Sequence, residues 1–452
     1  MSTSPPGAFG PPSGADNLFA RTKRRRKARR MSGAGVALVV AVALIAVGAG
    51  WAVGYYGAPG VRGQTITISG SGSSLLWPML LNWSADYTEQ VNSNIHISVG
   101  STGSGTGQAL SICGNVNLGM TDTFILNASA ATCSTTVPPS THAMAQIPTA
   151  ISSQLVYVNL PGLTSSELNL NGTVLGMIYN GNITQWNDPL ILAAQTPAVR
   201  AILNGLSGSG STITPVGRSD SSGDTGLFTG YLTMAWAGWT AFGHTQGDDA
   251  ITGTKGQNLN PSFVAVALNT GVLRAVETTI GALGYVGISY RSLAAGVEYA
   301  NLGDNRAISA SGGTNLSNYA APTPTNIAAD VTLGLVGLNF TAYGLALVLI
   351  LGGNPANAVA YSQGTGGRSP AGSGPTPYPI VNFEYVLVRT SGTPTVDNPG
   401  RYATAIAVVQ FLQWVLSYGN QPALLEPVGF LPLTPTVVGY ATQILSTIQV
   451  SG

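Results

Sequence analysis

Thr65 to Tyr87 reads TITISGSGSSLLWPMLLNWSADY and Ile95 to Gln108 reads IHISVGSTGSGTGQ; these two passages decide the fold class. In each, a short run rich in β-branched residues ends in a glycine- and serine-rich turn. Thr65 to Ser69 and Ile95 to Val99 are read as strands, and Gly70 to Ser74 and Gly100 to Gly107 as turns. Helices are expected over Leu75 to Tyr87, from the helical spacing of Leu, Trp and Tyr, and again from Gln108 onward. Strand, glycine-rich turn, helix, repeated, is the α/β pattern that places backbone N–H groups at the carboxyl ends of parallel strands.

The chain has 452 residues, room for two or three domains with proper cores. Only 8% of its residues are charged, while Gly, Ser, Thr and Asn are abundant. Uncharged polar surface therefore replaces charged surface. That argues against nucleic-acid binding, which needs a basic face, and it suggests an exported protein, in surroundings acid enough to neutralise carboxylates.

The overall charge of +1 hides an asymmetry. Arg21, Lys23, Arg24, Arg25, Arg26, Lys27, Arg29 and Arg30 lie within ten positions, and no charged residue stands between Met31 and Val61. Residues 1–33 are read as a cytoplasmic basic tail and residues 34–56 as a transmembrane anchor, about 20 apolar residues being enough to span a bilayer. By the positive-inside rule the rest of the chain faces outward. A cleaved signal sequence is the rival reading, with Ala52-Val53-Gly54 as its small-x-small site. No cysteine precedes Cys113, so a lipid anchor at the end of this segment is excluded. Cys113 and Cys133 are the only cysteines; outside the membrane an even pair reads as a disulfide worth about 3 kcal/mol, and two buried free thiols are the alternative. His96, His142 and His244 are isolated, and no cluster has metal-ligand spacing. No metal or cofactor is expected.

Arg218-Ser219-Asp220-Ser221-Ser222-Gly223-Asp224-Thr225 carries the functional signal. One arginine precedes small hydroxyl residues and a glycine, and the apolar run Leu227, Phe228, Tyr231, Leu232 begins a helix just beyond. A guanidinium, hydroxyl donors and free N–H groups at a helix N-terminus together make an oxyanion cradle.

These residues also carry a family resemblance. Ile68-Ser-Gly-Ser-Gly-Ser-Ser74, Ser101-Thr-Gly-Ser-Gly-Thr-Gly-Gln108, Leu118-Gly-Met-Thr-Asp122, Val158-Asn-Leu-Pro-Gly-Leu163 and Leu175-Gly-Met-Ile-Tyr-Asn-Gly-Asn-Ile-Thr-Gln-Trp186 resemble, in order and spacing, PstS-type phosphate-binding proteins. Arg218 to Leu232, Gly284-Tyr-Val286, Tyr378-Pro-Ile380 and Phe411-Leu-Gln-Trp414 continue the match, which covers about residues 64 to 430. The resemblance implies a two-lobed periplasmic-binding-protein fold of type II that closes on its ligand like a hinge. Residues 64–148 plus 382–452 would form one lobe and residues 149–381 the other, with Ile151 to Val158 and Phe383 to Val388 as candidate crossings. Carried over, phosphate would be bound by Ser74 and the backbone of Leu75, Thr102, Ser104 and Asp122 from the first lobe. Arg218, Ser222, Gly223, Asp224 and Thr225 would bind from the second, with Asp220 orienting Arg218. The implied partners are inorganic phosphate and the permease of a phosphate ABC transporter, in a receptor held at the membrane by its N-terminal helix.

Within that frame Asp122 has the sharpest expected role. Phosphate still carries a proton near neutral pH and can donate it in a hydrogen bond to a carboxylate, whereas sulfate cannot, and an unmade buried pairing costs at least about 1–3 kcal/mol. Capping of a turn is the plainer reading of Asp122. Asp224 departs from the family, where a hydroxyl residue commonly stands. Either it points outward, as a simple acid in a first helical turn, and Thr225 supplies the hydroxyl, or it takes a second proton from a more protonated phosphate. Leu333 to Leu351 is read as a buried helix and Gly364 to Pro377 as a surface loop. Asn82, Asn171, Asn182 and Asn315 head glycosylation sequons. Besides a receptor, a phosphatase-like enzyme and a structural cell-surface protein on the same fold stay in view. No metal cluster, Ser/His pairing or second basic group supports catalysis.

Overall fold

The computed structural model describes residues 65–123, 144–244, 247, 260–303, 314–335, 375–390 and 399–448. The chain falls into two units, Met1–Arg62 and Gly63–Gly452, and every described residue lies in the second. The basic tail, the expected anchor at 34–56, Cys133 and most of Leu333 to Leu351 and Gly364 to Pro377 lie outside the described residues. Among the described residues no helix is long and apolar enough to cross a membrane.

Along the chain, β1 (Ile66–Gly72), α1 (Trp77–Gln90), β2 (Ile95–Ser101), α2 (Ser104–Ile112) and β3 (Leu118–Thr121) come first. Then follow β4 (Met144–Val158), β5 (Asn169–Leu170), α3 (Gly172–Asn180), α4 (Pro197–Gly205), β6 (Thr214–Arg218), α5 (Gly223–Ala235), β7 (Val264–Val266), α6 (Leu268–Thr278) and β8 (Ala282–Gly287). The remaining strands and long helices are β9 (Glu298–Tyr299), β10 (Asn301–Gly303), β11 (Tyr319–Ala320), α7 (Pro324–Leu335), β12 (Val381–Arg389), α8 (Pro399–Leu416) and α9 (Pro435–Ser446). The fold is mixed α/β, as the strand, turn and helix pattern predicts.

One sheet runs in the order β2, β1, β3, β12, β4, β8, β6, β7, with β9 paired to β4; β5, β10 and β11 form a small second sheet. The two ends are parallel, β1 with β2 and β3 and β6 with β7 and β8. The centre is antiparallel. β4 pairs with β12 over Met144 to Ser153 and with β8 over Gln154 to Val158, so one buried strand serves both halves. The expected crossings lie in these strands, but β4 begins seven residues before Ile151. Pro148 has no N–H for the ladder, and there the register shifts between Glu384 and Tyr385. The hydroxyl of Thr149, the skipped residue, donates to the Glu384 carbonyl at 3.1 Å.

Two sequence expectations move at the first glycine-rich turns. β1 runs on to Gly72, and α2 starts at Ser104 rather than near Gln108. Missing side chains explain both. A Cβ on Gly72 would lie 2.1 Å from the Met120 carbonyl oxygen, and Gly103 turns the chain at φ 89° into the helix. The Gly72 carbonyl accepts the N–H groups of both Thr102 and Gly103 at 2.9 Å, tying the two turns together.

The C-terminal helices return to the N-terminal strands. Trp83 Nε1 donates to the Gly419 carbonyl at 3.0 Å, and Tyr87 meets Phe411 and Trp414 edge-on at 5.3 and 5.6 Å. Each such buried ring contributes about 1.5–3 kcal/mol. On the other side, Phe228 of α5 stacks on Tyr285 of β8 at 4.5 Å and meets Tyr179 of α3 at 4.9 Å. Tyr179 Oη donates to the Val216 carbonyl at 2.8 Å. This aromatic wedge fixes the end of β6 against the start of α5, the segment that carries Arg218 to Thr225.

Candidate functional site

Arg218 ends β6 and is 1% exposed. Its Nε donates to Asp220 Oδ1 at 2.8 Å and its Nη2 to Asp220 Oδ2 at 2.5 Å, a two-pronged pairing. Its Nη1 donates to Asp224 Oδ2 at 2.7 Å. Three of the five N–H groups are thus engaged by carboxylates, which leaves one on each terminal nitrogen. Burial works against the charge of Arg218, but hydrogen bonding to Asp220 and the charges of Asp224 and Asp220 hold its pKa above the usual guanidinium value. Asp220 is also fixed by the Leu268 N–H at 3.0 Å; despite burial, its hydrogen bond from Arg218 keeps its pKa low. Leu268 takes φ 62°, a costly conformation for a bulky residue, and thereby aims its N–H at Asp220 while starting α6.

Asp224 is 1% exposed, which rules out the outward-pointing one of its two readings. It sits in the first turn of α5, where Arg218 draws it inward. Asn269 Nδ2 donates to its Oδ2 at 2.7 Å and Gln154 Nε2 to its Oδ1 at 3.2 Å. Burial, followed by the nearby charge of Asp122, pushes the Asp224 carboxyl up to about 7 against the pull of Arg218 and these hydrogen bonds. Thr225 does not turn to the cradle. Its hydroxyl is bonded to Tyr285 Oη at 2.8 Å, and that Oη also accepts the Arg218 N–H at 3.1 Å.

Asp122 follows β3 and is 1% exposed. Ser73 donates to its Oδ1 and Ser104 to its Oδ2, the latter at 3.0 Å. Ser73 Oγ in turn accepts the N–H groups of Leu75 and Leu76 at 3.0 Å. Behind Asp122, Asn382 Nδ2 donates to its carbonyl at 2.9 Å and to Glu384 Oε1 at 3.0 Å, and Ser152 donates to the same Oε1. Glu384 is fully buried. Burial first, then the charge of Asp122 and a hydrogen bond with it, pushes the Glu384 carboxyl well above the usual carboxylate range, over the opposing pull of Ser152 and Asn382.

The two groups touch. A Cβ on Gly223 would lie 2.7 Å from Asp122 Oδ2 and 2.8 Å from Ser104 Oγ, so only glycine lets the N-terminus of α5 approach this closely. The Gly105 N–H donates to the Ser221 carbonyl at 3.2 Å. Ser222 precedes the helix with its hydroxyl buried, without a partner and making no cap bond. Asn269 Nδ2 donates to Ser74 Oγ at 2.9 Å as well as to Asp224, while Tyr290 Oη donates to the Ser74 carbonyl at 2.9 Å.

Of the residues expected from sequence, Ser104, Asp122, Arg218, Asp220, Ser222, Gly223 and Asp224 therefore converge. Ser74 and the Leu75 N–H lie at the edge and are already bonded. Thr102 is not brought in: it is exposed, and its hydroxyl pairs with Ser71 at 2.8 Å. Ser73, Gln154, Asn269, Asn382 and Glu384 were not foreseen. Only Ser73 had a local signal, being one residue from the expected Ser74 in the same turn. Cys113 caps the end of α2; its expected partner Cys133 lies outside the described residues.

A family model described as a PBP superfamily domain matches residues 57–418. The phosphate-binding protein PstS of Xylella fastidiosa is 32% identical over 227 residues, 50% of this chain and 55% of the relative. PstS of Methanocaldococcus jannaschii is 25% identical over 397 residues, 83% of this chain and 84% of the relative. The chain spans only a little over half of the Xylella relative. In solved structures, a high affinity periplasmic phosphate-binding protein bound with phosphate at pH 8.5 matches with a TM-score of 0.54 at 20% identity, over 84% of this chain and 93% of that one. The phosphate binding protein from Stenotrophomonas maltophilia matches with a TM-score of 0.51 at 20% identity over the same shares. At that identity the two structures speak for the fold alone.

Proposed function

This chain belongs to the PBP superfamily, and from that premise we propose that it is an extracytoplasmic receptor that binds inorganic phosphate between two lobes and delivers it to an ABC permease. The observation that carries the reading is the meeting of Arg218, Ser222 and the start of α5 with Asp122, held by Ser73 and Ser104, in a place closed to water. Its PstS relatives and the resemblance of its motifs point the same way. In this reading residues 64–148 with 382–452 form one lobe and 149–381 the other, and the bulged pair β4 and β12 bends between them. Residues 34–56 anchor the receptor in the cell membrane, and a bond from Cys113 to Cys133 braces the first lobe.

The chemistry follows from donor and acceptor counting. The two remaining N–H groups of Arg218, the Ser222 hydroxyl and the N–H groups opening α5 supply donors to phosphate oxygens, and the positive end of the helix dipole favours the anion. Asp122 accepts the hydrogen bond of the phosphate proton, and sulfate, which has none, meets uncompensated repulsion there. The fixed guanidinium loses little freedom on binding. The reading assigns the site no catalysis.

Calorimetry of the full chain with phosphate and sulfate tests this. Phosphate is expected to bind and sulfate at least 100-fold more weakly, with discrimination lost in Asp122→Asn and phosphate binding lost in Arg218→Ala. Phosphate binding by Arg218→Ala as tight as by the wild type would put the site elsewhere.

A further inference from the structure

We propose that Asp224 makes phosphate binding proton-linked: the anion enters the Arg218 site only in a complex holding one proton more than the phosphate dianion and the empty site together, so this receptor selects the protonated phosphate of acid surroundings. The inference rests on the phosphate-receptor reading above and concerns a residue at which this chain departs from the PstS pattern.

Geometry leads to it. The ionised Asp224 carboxylate takes one of the two Arg218 Nη1–H groups at 2.7 Å, which leaves a bound oxyanion a single donor on that nitrogen. Its other partners, Asn269 at 2.7 Å and Gln154 at 3.2 Å, are donors too, so the side chain is held in place as an acceptor with its charge exposed to the cradle. The groups facing it come from every element packed around the site: Arg218 at the end of β6, Asp220 after it, Asp122 after β3 with Glu384 of β12 behind, Tyr285 of β8 and Tyr290 in the turn after it. Only one of them is a cation. Two carboxyl groups, of Asp220 and Asp224, already hold that guanidinium, and the charge of Asp122 acts on Asp224 as well. A phosphate dianion would add two further negative charges in a water-excluded place, where like charges interact most strongly.

A proton on Asp224 removes one charge, frees the second Nη1–H for the ligand and turns an acceptor into an O–H donor toward a phosphate oxygen. Whether that proton arrives on the phosphate monoanion or from solvent, the count is the same. No other change is needed, since Asp122 keeps its role as the acceptor for the first phosphate proton. The carboxyl of Asp224, raised to about 7, takes up a proton readily near neutrality.

Calorimetry at pH 8 in buffers of different ionisation enthalpy counts the protons taken up per phosphate bound by the full chain. The wild type is expected to take up about one proton more than Asp224→Thr, and its affinity for total phosphate to fall about tenfold more steeply per pH unit between pH 7 and 9. Asp224→Asn, which keeps the shape of the protonated side chain, serves where the threonine variant folds poorly, and is expected to bind phosphate more tightly than wild type at pH 8 and comparably at pH 5. Equal proton uptake in wild type and both variants, or weaker binding by both variants at pH 8, overturns the inference and leaves the receptor reading standing. Absence of phosphate binding by all three between pH 4 and 9 overturns the receptor reading, and this inference falls with it.

Discussion

At the scale of single residues, the site is a problem of too many acids around one base. Arg218 reconciles three of them by geometry: its fork fixes Asp220, its third N–H holds Asp224, and the approach of α5 brings the pair to Asp122. Glu384 solves the fourth case differently. With both Ser152 and Asn382 on one oxygen and its pKa raised by burial and by Asp122, it is a carboxyl whose protonated form the fold favours. Glu384→Gln mimics that neutral form. A raised folded-state pKa means stability that is present at low pH and lost as pH rises, so the glutamine variant is expected to resist urea better than wild type at pH 8 and equally at pH 4. Denaturant midpoints at the two pH values check it, and a variant less stable than wild type at pH 8 would contradict a protonated Glu384.

At the scale of elements, the decisive contact is the N-terminus of α5 against the segment after β3. In Gly223→Ala the new methyl would meet Asp122 and Ser104 at 2.7–2.8 Å, a contact between segments that the proposed two-lobed reading assigns to opposite lobes. Phosphate affinity is expected to fall more than tenfold, while the unfolding free energy of the empty protein changes by less than about 1 kcal/mol; calorimetry and urea titration give the two numbers. The elements were legible because β-branched runs and glycine turns are local signals, and so were Arg218 to Asp224 and Asp122, which stand in such turns. Ser73 was missed by one position because a glycine–serine turn has no periodicity to set its register. Gln154, Asn269, Asn382 and Glu384 were invisible for another reason. Each lies inside a strand or helix whose own pattern is explained by burial, and only the sheet order brings it to the site. For Asp224 the sequence left the outward and the ligand-facing readings both open, and the choice between them is made by an ion pair rather than by helix propensity.

For the whole molecule, the same acids set a pH window. Asp224 has its carboxyl raised from 3.8 to about 7 and Glu384 is raised well above 4.5. The folded protein therefore holds protons that the unfolded chain releases; the stability contributed by Asp224 is lost as pH rises from about 4 through about 7, and that from Glu384 is likewise lost as pH rises. Asp220, with its pKa lowered, works the other way and contributes stability lost only as pH falls below 3.8. The empty protein is accordingly expected to melt highest near pH 4–5 and several degrees lower at pH 8, a trend that a thermal scan across buffers reads directly and that a higher melting point at pH 8 would refute. The strand order has a further consequence, for how the molecule comes into being. β3 and β4 are successive strands, yet β12 lies between them, so the seam of the sheet stays open until residues 381–389 exist. Ribosomal synthesis delivers that strand after all the other described strands. The early strands must wait as an unsealed template until residues 381–389 emerge, and a chain that leaves the cell while still being made does so before its architecture can lock.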